Sequence, residues 1–370
     1  MLQCYNLKKK WRFRALDTKT VHRRTYLDIL RILASFLVCY NHAASFHIFL
    51  DQEANGSLLS WIMVFSSVIC RINIPMFFMI SGALLLGRER TYRELLQRVF
   101  RFAILLAGAS LIKFLHDHPA DFSWTGYARN LLSGNINMSY WYLYAYMGLL
   151  LVQPFLHRIA VALTWKDILC LTALRFLMIT FFPAVNYVLQ YLGMDPIGIS
   201  VEFRVPLSTV HVLYYSLTGY YLANILPLDN IGKRQVGFCG GILFVSLLLP
   251  TLITYHEGMH FAFSQTYLTL LDYIAAIAVF ILVRRGFQHV VFPTKAQGIL
   301  SHLSSCTLGI YLMEPLIAQV LYTKYFCEAY YQHHHLIQAA LSCLWCLFIM
   351  GSGCVLTTVL RNVPGCKKLL

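Results

Sequence analysis

The stretch RILASFLVCYNH, residues 31–42, decides how this chain is read. It begins with an arginine, ends with a histidine, and is otherwise the kind of apolar run that crosses a membrane. A helix advances about 1.5 Å and 100° per residue, which puts Arg31 and His42 roughly 16 Å apart along the axis and within about 20° of one face. Ser35 and Val38 fall on the same stripe, and Asp28, one turn earlier, is placed to pair with Arg31. An arginine at membrane depth costs at least a few kcal/mol unless it is paired or hydrated. Taken singly, Arg31 reads as snorkelling beside Asp28 and His42 as a hydrogen bond between helices. Taken as an aligned set they suggest a polar passage holding a base. A neutral imidazole can accept a hydroxyl proton, and a guanidinium can steady the negative charge that results.

The surroundings of this stretch give the fold class. Of 370 residues, 58% are hydrophobic and 12% charged, against the ~25% charged of soluble domains. Apolar runs long enough to span a bilayer recur along the chain, and no long polar segment separates them. The expected fold is therefore an all-α polytopic membrane protein. It has a basic N-terminal segment at 1–26, one transmembrane domain at 27–361 and a short tail at 362–370. Hydropathy suggests ten spans, near 27–50, 66–87, 99–116, 141–163, 167–189, 209–228, 236–256, 266–285, 300–325 and 337–361. Threaded from a cytoplasmic N-terminus, they place 23 of the 30 Lys and Arg residues inside and only Arg129, Arg204 and Lys324 outside. That asymmetry argues for both termini in the cytoplasm. The run after the basic N-terminus is too long for a secretory signal core and is expected to stay as the first span. The N-terminal cluster, from Lys8 to Arg24, abuts it directly and is expected to face anionic lipid rather than nucleic acid.

A second group of residues lies on the cytoplasmic side. The segment after the second span holds Arg88, Arg90, Arg93, Arg98 and Arg101 and not one lysine. Arg98 and Arg101 are three apart, on one helical face, where two guanidinium forks could grip phosphates bidentately. The positive-inside rule alone also predicts basic residues here, so both readings stand.

Five motifs, in order, carry a resemblance. YLDILR at 26–31 with Asn41-His42, IPMFFMISG at 74–82, WYLY at 141–144, SLTGYYL at 216–222 and GIYL at 309–312 resemble the acyltransferase type 3 family of integral-membrane O-acyltransferases. The similarity covers about 24–368. It implies transfer of an acyl group, commonly acetyl, from cytoplasmic acyl-coenzyme A to a hydroxyl of a sugar or other envelope acceptor. The family's arginine, ten residues and histidine match Arg31 and His42, and its Arg-x-x-Arg element, thought to meet the donor, matches Arg98 and Arg101. One position departs: where the family pattern reads tyrosine, leucine, any residue, histidine, this chain has Tyr311-Leu-Met-Glu314. Glu314 either belongs to the site or pairs with another intramembrane group such as Arg175.

The expected function is thus membrane O-acyl transfer, with acetyl-coenzyme A the expected donor and a cell-surface polysaccharide or glycolipid sugar the acceptor. The expected catalytic set is His42, Arg31 and Asp28, with Arg98 and Arg101 on the donor. Ser81, Trp141, Tyr144, Tyr311 and Glu314 serve as acceptor or supporting residues. Acyl transfer could run by direct attack or by a relay through His42. No permanently bound cofactor and no metal are expected, and short loops suit a multi-pass protein of a bacterial inner membrane. The rival reading is a secondary transporter or flippase using Arg31, His42, Arg175 and Glu314 as a relay.

Other clusters carry less. His333 to His335 and His116-Asp117-His118 are weak candidates for zinc. Cys343 and Cys346 read as helical core, and Gly240-Gly241 as a close-packing signal.

Overall fold

The computed structural model describes residues 24–43, 58–198, 200, 203, 211–228, 231–257, 269–325, 335–364, 366 and 369. Among them the regular structure is entirely helical. The helices are α1 (Thr25–Ala43), α2 (Leu58–Cys70), α3 (Asn73–Leu85), α4 (Tyr92–Asp117), α5 (Trp124–Ser133) and α6 (Trp141–Ala162). They continue with α7 (Trp165–Arg175), α8 (Phe182–Tyr191), α9 (His211–Tyr220), α10 (Lys233–Glu257), α11 (Thr269–Phe287), α12 (Thr294–Tyr325) and α13 (His335–Leu360). Phe176–Phe181 is a π-helical segment fusing α7 to α8, and Tyr221–Ile225 is another, extending α9.

Among the described residues, six stretches are long and apolar enough to cross a membrane: Leu58–Leu85, Tyr92–Asp117, Met138–Ala162, Trp165–Tyr191, Lys233–His256 and Ala340–Leu360. They fall on six of the ten expected spans. The other four expected spans coincide with α1, α9, α11 and α12. In those helices polarity is the reason the apolar signal weakens: α1 carries Asp28, Arg31 and His42, α11 carries Asp272, Arg284 and Arg285, and α12 is rich in Ser and Thr. α9 is only ten residues long within the described region. Large side chains such as Phe100, Phe238 and Val355 stay exposed, as lipid-facing residues do.

Two expectations about the second span are corrected. It starts earlier, at Leu58, and it is broken at Arg71-Ile72. The break has a local cause. Pro75 has no N–H to donate and its ring collides with the carbonyl four residues back, so a helix restarts at Asn73 and keeps the proline in its first turn. Between the third and fourth expected spans lies a further helix, α5, capped by Ser123 Oγ on the Gly126 N–H (3.0 Å) and closed by Gly134 in the left-handed region at φ 74°.

α1 is central, packing against α2, α3, α11, α12 and α13. Leu30 and Ala34 of its inner face are fully buried. The tightest approach in the fold is α3 against α9. A Cβ on Gly82 would overlap the Ser216 backbone, and one on Gly219 would overlap the Met79 backbone. The Ser81-Gly82 pair and the SLTGYYL motif are therefore two sides of one close contact, as small residues permit. Gly240 and Gly241 do not do this: a Cβ on either would meet open space, which corrects the close-packing expectation for α10.

Candidate active site

The end of α3 is held by α6. Gln153 Nε2 donates to the carbonyls of Leu85 (3.1 Å) and Arg88 (3.0 Å), and His157 Nδ1 lies 2.9 Å from the Leu86 carbonyl. These bonds satisfy carbonyls that a helix end leaves without partners. They also fix the turn that carries Arg90.

Beside this turn, α1, α3, α4, α6 and α12 surround a cavity of about 570 Å³. Arg31 and His42 both line it, with Val38 between them on the same stripe. Arg98, Arg101 and Arg90 line it too. The separation of about eleven residues along one helix face thus becomes a single polar space, and the arginine pair from the following helix faces the same space.

The support of Arg31 has one member that the sequence did not reveal. Ser304 Oγ donates to Asp28 Oδ1 at 2.6 Å and accepts from Arg31 Nη1 at 3.1 Å, while the direct Asp28–Arg31 separation is 4.0 Å. Asp28 is buried and does not line the cavity, so it orients Arg31 through the serine.

Glu314 comes out differently from its Arg175 alternative. Its Oε2 lies 3.1 Å from His42 Nδ1, and its side chain is almost fully buried. A carboxylate on Nδ1 fixes the tautomer and the ring plane and leaves Nε2 as the basic nitrogen. Arg175 is elsewhere, fully buried, with Nη1 2.7 Å from His211 Nδ1, Nη2 donating to Tyr215 Oη (3.1 Å), and its guanidinium over the rings of Tyr214 and Tyr215. Arg31, His42, Arg175 and Glu314 therefore form no single relay, and the transporter reading gains no support.

Of the other expected residues, Ser81, Trp141 and Tyr311 line the cavity. Ser81 Oγ donates to the Phe77 carbonyl (2.8 Å) and lies 3.1 Å from Tyr142 Oη. Tyr311 donates to the Ser139 carbonyl. Tyr144 does not line the cavity: its hydroxyl donates to the Leu131 carbonyl and ties α6 to α5. The helical phase explains the correction, since Tyr142 and Tyr146, four apart, share the cavity face, and residue 144 is turned about 200° from 142.

Arg90 is the most informative residue that sequence reasoning passed over. Its Nε is buried with no hydrogen-bond partner, as is Oδ1 of Asn73, which also lines the cavity. Burial and the neighbouring Arg98 and Arg88 push the Arg90 guanidinium pKa down. Such crowding of like charge favours an anionic guest. Arg88 and Arg93 are exposed and outside the cavity. Arg101 Nε donates to the Leu369 carbonyl at 2.6 Å, which brings the C-terminal segment to this end of the cavity.

A model of the acyltransferase 3 family, described as an acyltransferase domain, matches residues 24–360. The chain belongs to this acyltransferase family. No curated protein and no solved structure matches it. Family membership, together with its several membrane-length apolar helices, makes it a multi-pass membrane acyltransferase.

The weak metal candidates resolve as follows. His333 and His334 lie outside the described residues. Asp117 pairs with Lys113 and with His116 Nδ1 (3.3 Å), and His118 stacks on Phe114 (4.4 Å). Cys346 is buried and its thiol lies 3.6 Å from the Phe36 carbonyl, in keeping with a core role, whereas Cys343 is exposed, which corrects the core reading at that position.

Proposed function

We propose that this acyltransferase moves an acyl group, acetyl in the simplest case, from cytoplasmic acyl-coenzyme A to a hydroxyl of a cell-surface polysaccharide or glycolipid sugar. The observation that carries this reading is that His42, Arg31 and three arginines of the α3–α4 region line one cavity. Arg90, Arg98 and Arg101 hold the donor's phosphates through bidentate forks. The thioester lies in the cavity beside Arg31, which Ser304 and Asp28 hold in place. His42 takes the acceptor's proton on Nε2 as the oxygen attacks the thioester carbonyl. The proton then passes to the departing coenzyme A thiolate, and a new ester remains on the acceptor.

Glu314 stands where the family pattern expects a histidine. On this reading its carboxylate holds the His42 ring and stabilises the imidazolium formed during transfer, as the acidic member of a catalytic triad does. The ten-span topology with both termini in the cytoplasm, and residence in a bacterial inner membrane, belong to the same proposal. They put the arginines on the donor's side.

The test is release of free coenzyme A thiol by the purified protein given acetyl-coenzyme A and an envelope glycan extract, paired with mass analysis of surface glycans from deletion and parent strains. Acceptor-dependent thiol release and a lost acyl increment are the expected results. Identical glycans and no thiol release from any acyl-coenzyme A would overturn the proposal.

A further inference from the structure

On the face of α12 and α13 turned away from the cavity, three ligand-bearing side chains converge that the mechanism does not use. We infer that His302, Cys306 and Cys354 form a binding site for a thiophilic divalent metal of the zinc class. His302 and Cys306 are four apart, which stacks them on one face of α12. Cys354 reaches them from α13, and the three ligand atoms all lie within 4.8 Å of one another. Zn–S bonds near 2.3 Å and Zn–N bonds near 2.0–2.1 Å in a tetrahedron set ligand separations of about 3.6–3.8 Å. His302 Nε2 lies 3.9 Å from Cys306 Sγ, so a small rotamer adjustment brings this pair to bonding geometry.

A cation stands beside the three ligand-bearing side chains. Arg361 reaches to 3.9 Å from Cys306 Sγ and is held there by bonds from Nη1 to Ser305 Oγ (2.8 Å) and from Nη2 to the Ser305 carbonyl (2.7 Å). Thr358 Oγ1 lies 3.2 Å from His302 Nε2 and 4.0 Å from Cys306 Sγ, and with three protein ligands a water completes the tetrahedron. Cys306 is fully buried whereas His302 is exposed, which gives the ion a path in from the aqueous side. In the proposed topology this end of both helices faces the cytoplasm, where cysteines stay reduced and a thiol pair is free to ligate.

The site is a staple. It joins α13 to the helix that brings Ser304 to Arg31 and Glu314 to His42, and so fixes the register of α12 against its neighbour. Two thiolates balance the ion's double charge, leaving Arg361 as an outer partner.

The experiment uses the full-length protein, purified in detergent under reducing conditions with an affinity tag that contains no histidine. Metal content by plasma mass spectrometry is expected to give stoichiometric zinc, and cobalt loading of the stripped protein to give a thiolate-to-cobalt charge-transfer band. Both are lost in Cys354→Ser and in His302→Gln, the latter at an exposed position that tolerates substitution. Chelation lowers the melting temperature of the parent protein but not of either variant. Absence of the cobalt band in the reduced, correctly folded parent overturns the inference. So does a Cys306–Cys354 disulfide that persists in peptide maps of the native protein, which would make the pair a redox couple instead.

Discussion

Arg31 and Arg175 are both arginines within helices of the apolar layer, and the fold treats them in opposite ways. Arg175 is fully buried, sandwiched over Tyr214 and Tyr215 and bonded to His211 and the Tyr215 hydroxyl. Both of its terminal nitrogens are bound on the protein. Arg31 keeps 28% of its side chain exposed, lines the cavity, and is held from behind by Ser304 and Asp28. Its charge is oriented but still available. A buried charge whose partners surround it contributes to a single packed state, whereas one supported on one side only can meet a guest. On the proposed mechanism the α7–α9–α11 region is scaffold and the α1–α3–α4–α6–α12 region is machinery.

The sharpest way to break this division is His42→Ala. Loss of a general base costs about 10²–10⁴-fold in rate, and the variant is expected to lose that much acyl transfer per folded molecule. Unchanged transfer would remove His42 from the chemistry. The matching variant in the scaffold is Arg175→Leu. It removes the buried guanidinium that binds His211 Nδ1 and the Tyr215 hydroxyl. Breaking buried charge networks costs about 3–5 kcal/mol, so thermal denaturation in detergent should reveal a large loss of stability, with transfer per folded molecule unchanged. A specific fall in rate without a fall in stability would instead move Arg175 into the machinery.

Smaller effects refine the picture. Glu314→Gln keeps the shape but weakens a charge-assisted hydrogen bond worth about 1.5–3 kcal/mol, so kcat is expected to fall by about 10- to 100-fold with KM for the donor little changed. A change confined to KM would make Glu314 a binding residue. The mildest prediction concerns Arg90→Lys, which keeps the charge and loses the fork. A loss of about 1 kcal/mol, in the range of one hydrogen bond, raises KM for acyl-coenzyme A about fivefold at constant kcat. A KM indifferent to this change would exclude Arg90 from the donor's phosphates.

Much of this division was legible along the chain. The 3.6-residue period put Arg31 and His42 on one stripe and Arg98 and Arg101 on one face, and both pairs line the cavity. Two of the quoted motifs, IPMFFMISG and SLTGYYL, meet through Gly82 and Gly219 in the close contact of α3 with α9. Tyr144 failed because an interfacial aromatic motif says nothing of phase. Only the packing of α6 shows that 142 and 146, not 144, face inward. Ser304 and Arg90 failed for another reason, since a serine in an apolar helix and one arginine among five carry no periodic signal.

By itself, the sequence determined the membrane class, the helices and the co-facial polar residues, because hydropathy and helical pitch are local properties. The tertiary structure alone decided that Glu314 meets His42 and not Arg175, that Ser304 joins Asp28 to Arg31, and that His302 and Cys306 find Cys354. Each of those contacts joins residues 48 or more positions apart, and partner choice at such range is set by how helices pack, which no local pattern encodes.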